Sequence, residues 1–489
     1  MPARSGAVFE SHNPADTCEI VGLAADSSAM DVDAAVAAAT AAFPSWAETP
    51  APVRGMMLYR AAELLGHQKH ILAKTICREM GKVYAEASGD VQEAIDIFYY
   101  MAGEGRRMSG ETVPSELPNK QAKSIRVPVG VVGLITPWNF PVAIPAWKIA
   151  PALISGNTVV LKPAEETPLC AAQLIQVFHE AGFPAGVVNM VCGFGETAGE
   201  PLVCHRKVSA ISFTGSHAIG KHLGVLCAEQ QKPFMMETGG KNPILVMEDA
   251  DIDLAVEGAL WGGFGTTGQR CTAASRLILH EAIAERFLTR FVQRACGLKL
   301  GNGLDRETQI GPIVSQSQYQ KVLAYIEIGK QEGARLILGG APSTEGAHAQ
   351  GYFILPTIFT DVTPSMRIAQ EEIFGPVVCI LKAHNLFDAI EIANRTVFGL
   401  SAAIYTQNVQ SAAIAERDLR AGIVYINAAT IGAEIQLPFG GVGQTGLGPR
   451  EAGGRGGSLD FYTHWKVIYH DFSGRVQKAQ MDTAFPANA

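Results

Sequence analysis

Between residues 157 and 229 the chain alternates short apolar runs with helical segments, and this alternation restricts the fold more than any other feature. NTVVLKP (157–163) has the β-branched content of a buried strand, and LCAAQLIQVFHEAG (169–182) predicts a helix stopped at Gly182. VVNMVCG (187–193) and SAISFTGS (209–216) predict two further strands, and HAIGKHLGVLCAEQ predicts the next helix. A strand–helix–strand order of this kind implies an α/β fold with a parallel sheet covered on both faces. That is the doubly wound class, which collects ligands at the carboxyl ends of its strands.

A second alternating unit runs from NPILVMEDADIDLAV (242–256) to GIVYIN (422–427). Ahead of both lie a helix over 31–47, helical patterns over 53–80 and 88–108, and the Val/Ile-rich strands of SIRVPVGVVGLITPW. The tail LDFYTHWKVIYHDF (459–472) is β-rich and follows a glycine-rich stretch, 439–457, so it is available to pair with a neighbouring subunit. No repeat of fixed period interrupts this plan.

A length of 489 residues predicts two or three domains, and 47% hydrophobic with 18% charged residues is an ordinary globular composition. The net charge of −8 argues against nucleic acid as the main partner and against an anionic membrane surface. No apolar run is long enough for a membrane span, and MPARSGAVFESHNPAD lacks the apolar core of a signal peptide. Nine scattered cysteines with no zinc-ligand spacing predict a reducing compartment, the cytoplasm, and no metal site.

Six stretches carry candidate chemistry. In FTGSHAIGK (213–221) a strand runs into Gly215 and Ser216, with the helix expected to open at Gly220. Its N–H groups suit phosphate oxygens, although an empty glycine-rich turn has the same composition. Lys162 and Glu165 in VVLKPAEETP suit ribose hydroxyls and would repel a 2′-phosphate, favouring NAD over NADP; KPAEETP also composes a solvated helix cap. PWNFP (137–141) holds Asn139 rigidly, fit to donate to an oxyanion or merely to pack Trp138 in a turn. Glu237 in METGGKNP follows an apolar stretch, where desolvation suits a general base, and equally resembles a surface carboxylate before a turn. EEIFGPV (371–377) brings Glu372 and Phe374 to a Gly-Pro turn. GQRCTAASR (268–276) sets Cys271 between an arginine and a threonine, in a setting that fits a nucleophile or a small core thiol.

Taken together, PWNFP, KPAEETP, FTGS, E-x-GGK, GQRC, EEIFGP and PFGG (438–441) occur in this order across most of the chain. The set resembles the NAD(P)-dependent aldehyde dehydrogenase superfamily. That resemblance implies Cys271 as nucleophile, Asn139 with the Cys271 backbone N–H as oxyanion hole, and Glu237 as the base that hydrolyses the thioester, 34 residues ahead of the cysteine. It implies cofactor contacts at Thr136, Trp138, Lys162, Glu165, Gly195, Gly215, Ser216, Glu372 and Phe374, with Trp138 and Gly195 as adenine-side walls. It also implies an NAD domain (1–109 and 129–239), a catalytic domain (240–438) and a small β oligomerisation flap with tail (110–128 and 459–489), assembled as a homodimer or homotetramer. The commoner ELGG, KPSE and GSTEVG read here as ETGG, KPAE and GSHAIG, so cofactor preference is the property these departures touch, and NADP remains a possible alternative to NAD.

FGTTGQRCTAASRLILHE and INAATIGAEIQLPFGGVGQTG look most like the branch that oxidises ω-semialdehydes of carboxylic acids, of α-ketoglutaric and α-aminoadipic type. Arg270 then suits a substrate carboxylate, or else turns into a structural ion pair. Phe140, Trp147 and Phe439 are expected to wall a substrate tunnel that would serve aliphatic or aromatic aldehydes as well. Two rivals remain: a CoA-acylating enzyme, which Glu237 opposes, and a non-catalytic crystallin-like protein, which the intact set of reactive residues opposes.

Overall fold

The computed structural model describes residues 3–481; residues 482–489 of the expected tail lie outside the described residues. Two large sheets dominate. The first has six strands in the order Gly446–Leu447, Phe234–Glu237, Ala210–Thr214, Val131–Ile135, Thr158–Lys162 and Val188–Met190. All pair in parallel except the two-residue edge strand Gly446–Leu447. The second has seven, centred on Ala274–His280 and Asn242–Val246, which also run parallel.

Both sheets are covered on both faces, which is why their strands read as unbroken apolar runs. Along Asn242–Val246, Leu245 packs into one core while Ile244 and Val246 pack into the other. Along Thr158–Lys162, Val159 and Leu161 join the helical core of Trp46, Phe98 and Phe178, and Val160 faces the opposite layer with Val36 and Leu202.

Register decides where the chemistry collects. Ile135 lies beside Lys162 and Thr214 beside Glu237, so Thr136, Lys162, Gly215, Ser216 and Glu237 all sit at the carboxyl end of the first sheet. The turn that precedes Asn242 and the loop that precedes Ala274 enter the second sheet at its amino end. The site lies where these two ends meet.

Local differences from expectation are small and have physical reasons. The helix expected over 88–108 is Tyr84–Glu104, and the strand expected over 187–193 is only Val188–Met190. The helix expected to open at Gly220 begins at His217, because Ser216 caps it by accepting the Ile219 N–H. Gly220 instead gives room to a neighbour: a Cβ there would lie 2.5 Å from the Met236 sulfur. A third sheet, antiparallel, joins Thr112–Pro114, Lys120–Pro128 and Thr463–Asp471, and leaves Trp465, Val467 and Tyr469 exposed. Among the described residues no helix is long and apolar enough to cross a membrane.

Candidate active site

The lead-in to Cys271 is a tightly held loop. After the helix Ile252–Phe264, Thr266, Thr267 and Gly268 all adopt positive φ, at 52°, 58° and 69°. A β-branched residue rarely adopts this conformation, so neighbours must hold it. They do: Glu86 accepts both the Thr266 N–H (2.8 Å) and its hydroxyl (3.0 Å), and the Thr267 hydroxyl donates to Gly311 O (3.0 Å). Gly268 has no alternative, since a Cβ would lie 2.2 Å from Gly375 O. Gln269 is buried, donates to Pro312 O (3.2 Å) and accepts the Val314 N–H (3.0 Å). On the far side Asn242 donates to Cys271 O (2.7 Å) and Ala273 O (2.9 Å). The sulfur is therefore carried by a backbone fixed on both flanks.

Trp138, Asn139, Gly215, Ser216, Cys271, Glu372 and Phe374 line one cavity. Asn139 is buried, and its Nδ2 donates to Gln269 O (3.1 Å), within the loop that carries the sulfur. Trp138, expected on the adenine side, lines this cavity together with Gly215 and Ser216 and stands edge-on to Phe374 at 5.3 Å. Glu372 accepts the Gly240 N–H (3.1 Å), and Gly239 must lack a side chain because a Cβ would fall 2.0 Å from the Glu372 carboxylate. The Gly-Gly pair after Glu237 is thus a seat for Glu372.

Other expected cofactor positions lie along the sheet end. Lys162 is buried and its Nζ pairs with Glu165 at 3.0 Å, while Glu165 remains half-exposed. The Thr136 hydroxyl is buried without a hydrogen-bond partner. Gly195 opens the short helical turn Gly195–Gly199, and the space where its Cβ would project is open.

Glu237 is buried, and one of its carboxylate oxygens has no hydrogen-bond partner. Burial pushes its pKa well above the ordinary carboxylate range; the charge of Glu451 adds to the rise, while Arg450 and Lys148 oppose it. It does not line the cavity of the sulfur but lies against Gly440, whose Cβ would be 2.4 Å from it. Beside it is a group that sequence reasoning missed. Lys148 is buried, pairs with Glu451 and donates to Ser212 Oγ (2.7 Å), and Glu451 also accepts the Thr214 hydroxyl at 3.0 Å. The available signal was a lone lysine in the apolar helix Ala143–Ile154.

Expectation and structure diverge at the thiol. A nucleophile at Cys271 calls for the thiolate, which partial exposure favours, and Cys271 is half-buried. Its pKa is nevertheless pushed up to about 12, first by burial and then by the carboxylates of Glu372, Glu237 and Glu451. The protein alone holds this sulfur as a thiol.

The four expected substrate residues are not brought together. Trp147 and Phe439 pack edge-to-face at 5.1 Å. Phe140 and Arg270 line a different cavity, of about 590 Å³, with Trp261, Glu86, Asp90 and Glu93. Arg270 lies against two rings, 5.3 Å from the Phe140 centroid and 4.8 Å from that of Trp261. Its Nε donates to the Thr266 hydroxyl (2.8 Å), and Nη2 is 3.6 Å from Glu86.

Comparison with known proteins agrees with this geometry. A sequence profile described as the aldehyde dehydrogenase family matches residues 1–468. The α-ketoglutaric semialdehyde dehydrogenase of Bacillus subtilis (strain 168) is 44% identical over 469 residues, 96% of each chain. Retinaldehyde dehydrogenase 3 of Mus musculus is 43% identical over 471 residues, 95% of this chain and 90% of its own. Among solved structures, betaine aldehyde dehydrogenase from Staphylococcus aureus in complex with NAD+ superposes with a TM-score of 0.94 at 34% identity, over 97% of this chain and 94% of that one. With a cysteine-bearing loop, an asparagine in the same cavity and a buried glutamate at the meeting of two α/β sheets, the chain belongs to the aldehyde dehydrogenase family.

Proposed function

We propose that the aldehyde this NAD-dependent enzyme oxidises carries a carboxylate at the end remote from its carbonyl, as an ω-semialdehyde does. The observation behind this reading is the setting of Arg270. Its guanidinium lies against Phe140 and Trp261 and is tethered through Nε and Nη2, while Nη1 has no hydrogen bond among the described residues. A fixed guanidinium with a free nitrogen beside a cavity is prepared to receive a carboxylate at little entropic cost. The ion pair with Glu86 and the substrate contact are therefore compatible roles. Sequence identity does not separate a semialdehyde from retinaldehyde as substrate, since relatives of both kinds match about equally; the charge at Arg270 supports the semialdehyde.

In the proposed reaction the Cys271 thiolate attacks the aldehyde carbon, and the Asn139 amide donates to the oxyanion that develops. Hydride departure leaves a thioester on Cys271, and Glu237 takes a proton from the water that hydrolyses it. The residues fit NAD: the unpartnered Thr136 hydroxyl, the Lys162–Glu165 pair and the Ser216-capped helix supply donors and an acceptor along one sheet end. When bound there, the oxidised nicotinamide supplies the hydride acceptor and a positive charge that opposes the carboxylates around the sulfur. The half-exposed Glu165 disfavours a 2′-phosphate, which makes NAD the preferred form. The domain division at 1–109 with 129–239, 240–438, and 110–128 with the tail is part of this reading. So are a homodimer or homotetramer covering Trp465, Val467 and Tyr469, and a cytoplasmic setting that suits nine free cysteines.

The test compares kcat/KM for a carboxylate-bearing semialdehyde and a neutral aldehyde of equal length. Arg270→Ala should lower the ratio about tenfold to a hundredfold, the worth of one hydrogen bond to a charged group. An unchanged ratio would overturn the reading.

A further inference from the structure

Beneath the loop that carries Asn139 lies a buried ion pair with no part in the reaction described above. Lys82 joins the helices Ala51–Met80 and Tyr84–Glu104, and Asp90 lies in the second of them. Their side chains are closed to solvent, with Nζ 2.8 Å from Oδ2. Removing two charges from water is costly, and well-packed apolar residues often serve stability as well or better. Stability alone therefore gives little reason for a pair here.

What the pair touches supplies one. Lys82 Nζ lies 3.4 Å from the centroid of the Phe140 ring, and Asp90 Oδ1 accepts the backbone N–H of Ala143 at 2.7 Å. Phe140 and Ala143 belong to a single loop, the one that runs from Thr136 into the helix Ala143–Ile154. Asn139 immediately precedes Phe140, and its amide reaches Gln269 O, two residues before the sulfur-bearing cysteine. One end of the loop is thus held through an aromatic face and the other through a backbone N–H, by two side chains that also hold each other. Burial lowers the pKa of the Lys82 ammonium and Asp90 counters this, so the two halves of the clamp depend on one another.

We propose that Lys82 and Asp90 are positioning residues for the oxyanion hole, clamping the loop at Phe140 and Ala143 so that the Asn139 amide stays directed at the reacting carbonyl. The inference rests on the reading of Asn139 as oxyanion donor. Neither residue touches the reacting atoms; both act through Asn139. Small misplacements of such donors are expensive, because the donor must meet the oxyanion rather than the ground-state carbonyl.

A double-mutant cycle read by single-turnover NADH formation tests this. Asn139→Ala should slow the turnover about a hundredfold or more, as loss of one oxyanion donor does. Lys82→Met in the native background should slow it about tenfold, while KM for NAD changes by less than about twofold. In the Asn139→Ala background Lys82→Met should cost less than about twofold, since the amide it positions is gone. A purely structural role would give the same loss in both backgrounds, and that additivity would overturn the proposal, as would a full-speed Lys82→Met enzyme. If Asn139→Ala itself is without effect, the reading of Asn139 fails first and the inference falls with it. Should Lys82→Met not be recovered folded, Asp90→Asn, which keeps an oxygen for the Ala143 N–H, runs the same cycle with the same criteria.

Discussion

Residues 270 and 271 are neighbours in the chain and line different cavities. Cys271 faces a cavity whose other walls are the Trp138 and Phe374 rings, the Asn139 amide, backbone at Gly215 and Gly239, and the carboxylate of Glu372. Arg270 faces one lined by distant segments, with the charged Glu86, Asp90, Glu93, Glu257 and Arg294 set among apolar residues such as Phe140, Leu260, Trp261 and Phe264. The first is shaped by positions where no side chain fits, as at Gly239, and the second by side chains that reach across to hold backbone, Glu86 at the Thr266 N–H and Asp90 at the Ala143 N–H. In the proposed reading, chemistry and selectivity fall on opposite sides of one peptide bond. Changes at Cys271 should therefore stop the reaction, and changes at Arg270 should re-rank its substrates.

The sharpest way to break that division is Cys271→Ala, which should reduce aldehyde oxidation by about 10⁴-fold or more, as loss of a nucleophile does. Residual activity near the native level in an NADH assay would end the account of the sulfur side. Glu237→Gln should lower steady-state turnover by about 10² to 10⁴-fold, the span of general-base effects, while leaving the first turnover intact. The expected trace is one NADH per site followed by a stall; equal slowing of both phases would remove Glu237 from hydrolysis.

A third prediction follows from the raised thiol. Only the thiolate is alkylated, and the pKa of Cys271 in the protein alone lies at about 12. Without cofactor, the rate of iodoacetamide labelling at Cys271 should therefore climb about tenfold per pH unit between pH 7 and pH 10. A plateau near the ordinary thiol value would show that neither burial nor the carboxylates of Glu372, Glu237 and Glu451 hold the sulfur protonated. The smallest effect belongs to the arginine side: Glu86→Gln weakens the tether on Thr266 and Arg270 and should cut the preference for a carboxylate-bearing aldehyde by about fivefold, one hydrogen bond's worth. An unchanged preference would show that the Glu86 tether does not orient Arg270 toward a substrate carboxylate.

The same contrast explains what could be read from the chain. The alternation of 157–229 was legible because both faces of each sheet are buried, which forces unbroken apolar strands between helices. The sulfur cavity was legible because glycines and short motifs mark places where backbone approaches backbone or carboxylate, as at Gly239 and Gly268. The arginine cavity was not. Glu86, Asp90 and Lys82 are unremarkable charges at a helix start until the fold places them against Thr266, Ala143 and Phe140. Lys148 did carry a signal, a charge among apolar helix residues, but its partner Glu451 lies 303 residues away. The pairing of Trp147 with Phe439, 292 residues apart, likewise had no local signal in the chain.

The most direct measurement is the intact mass of the Glu237→Gln protein after one turnover with NAD and a carboxylate-bearing semialdehyde, followed by peptide mapping. The account predicts a mass gain equal to the substrate's acyl group, confined to the peptide that contains Cys271 and absent from the Cys271→Ala, Glu237→Gln double variant. Stoichiometric NADH formation with no acyl group on Cys271, or with the group on another residue, would contradict it.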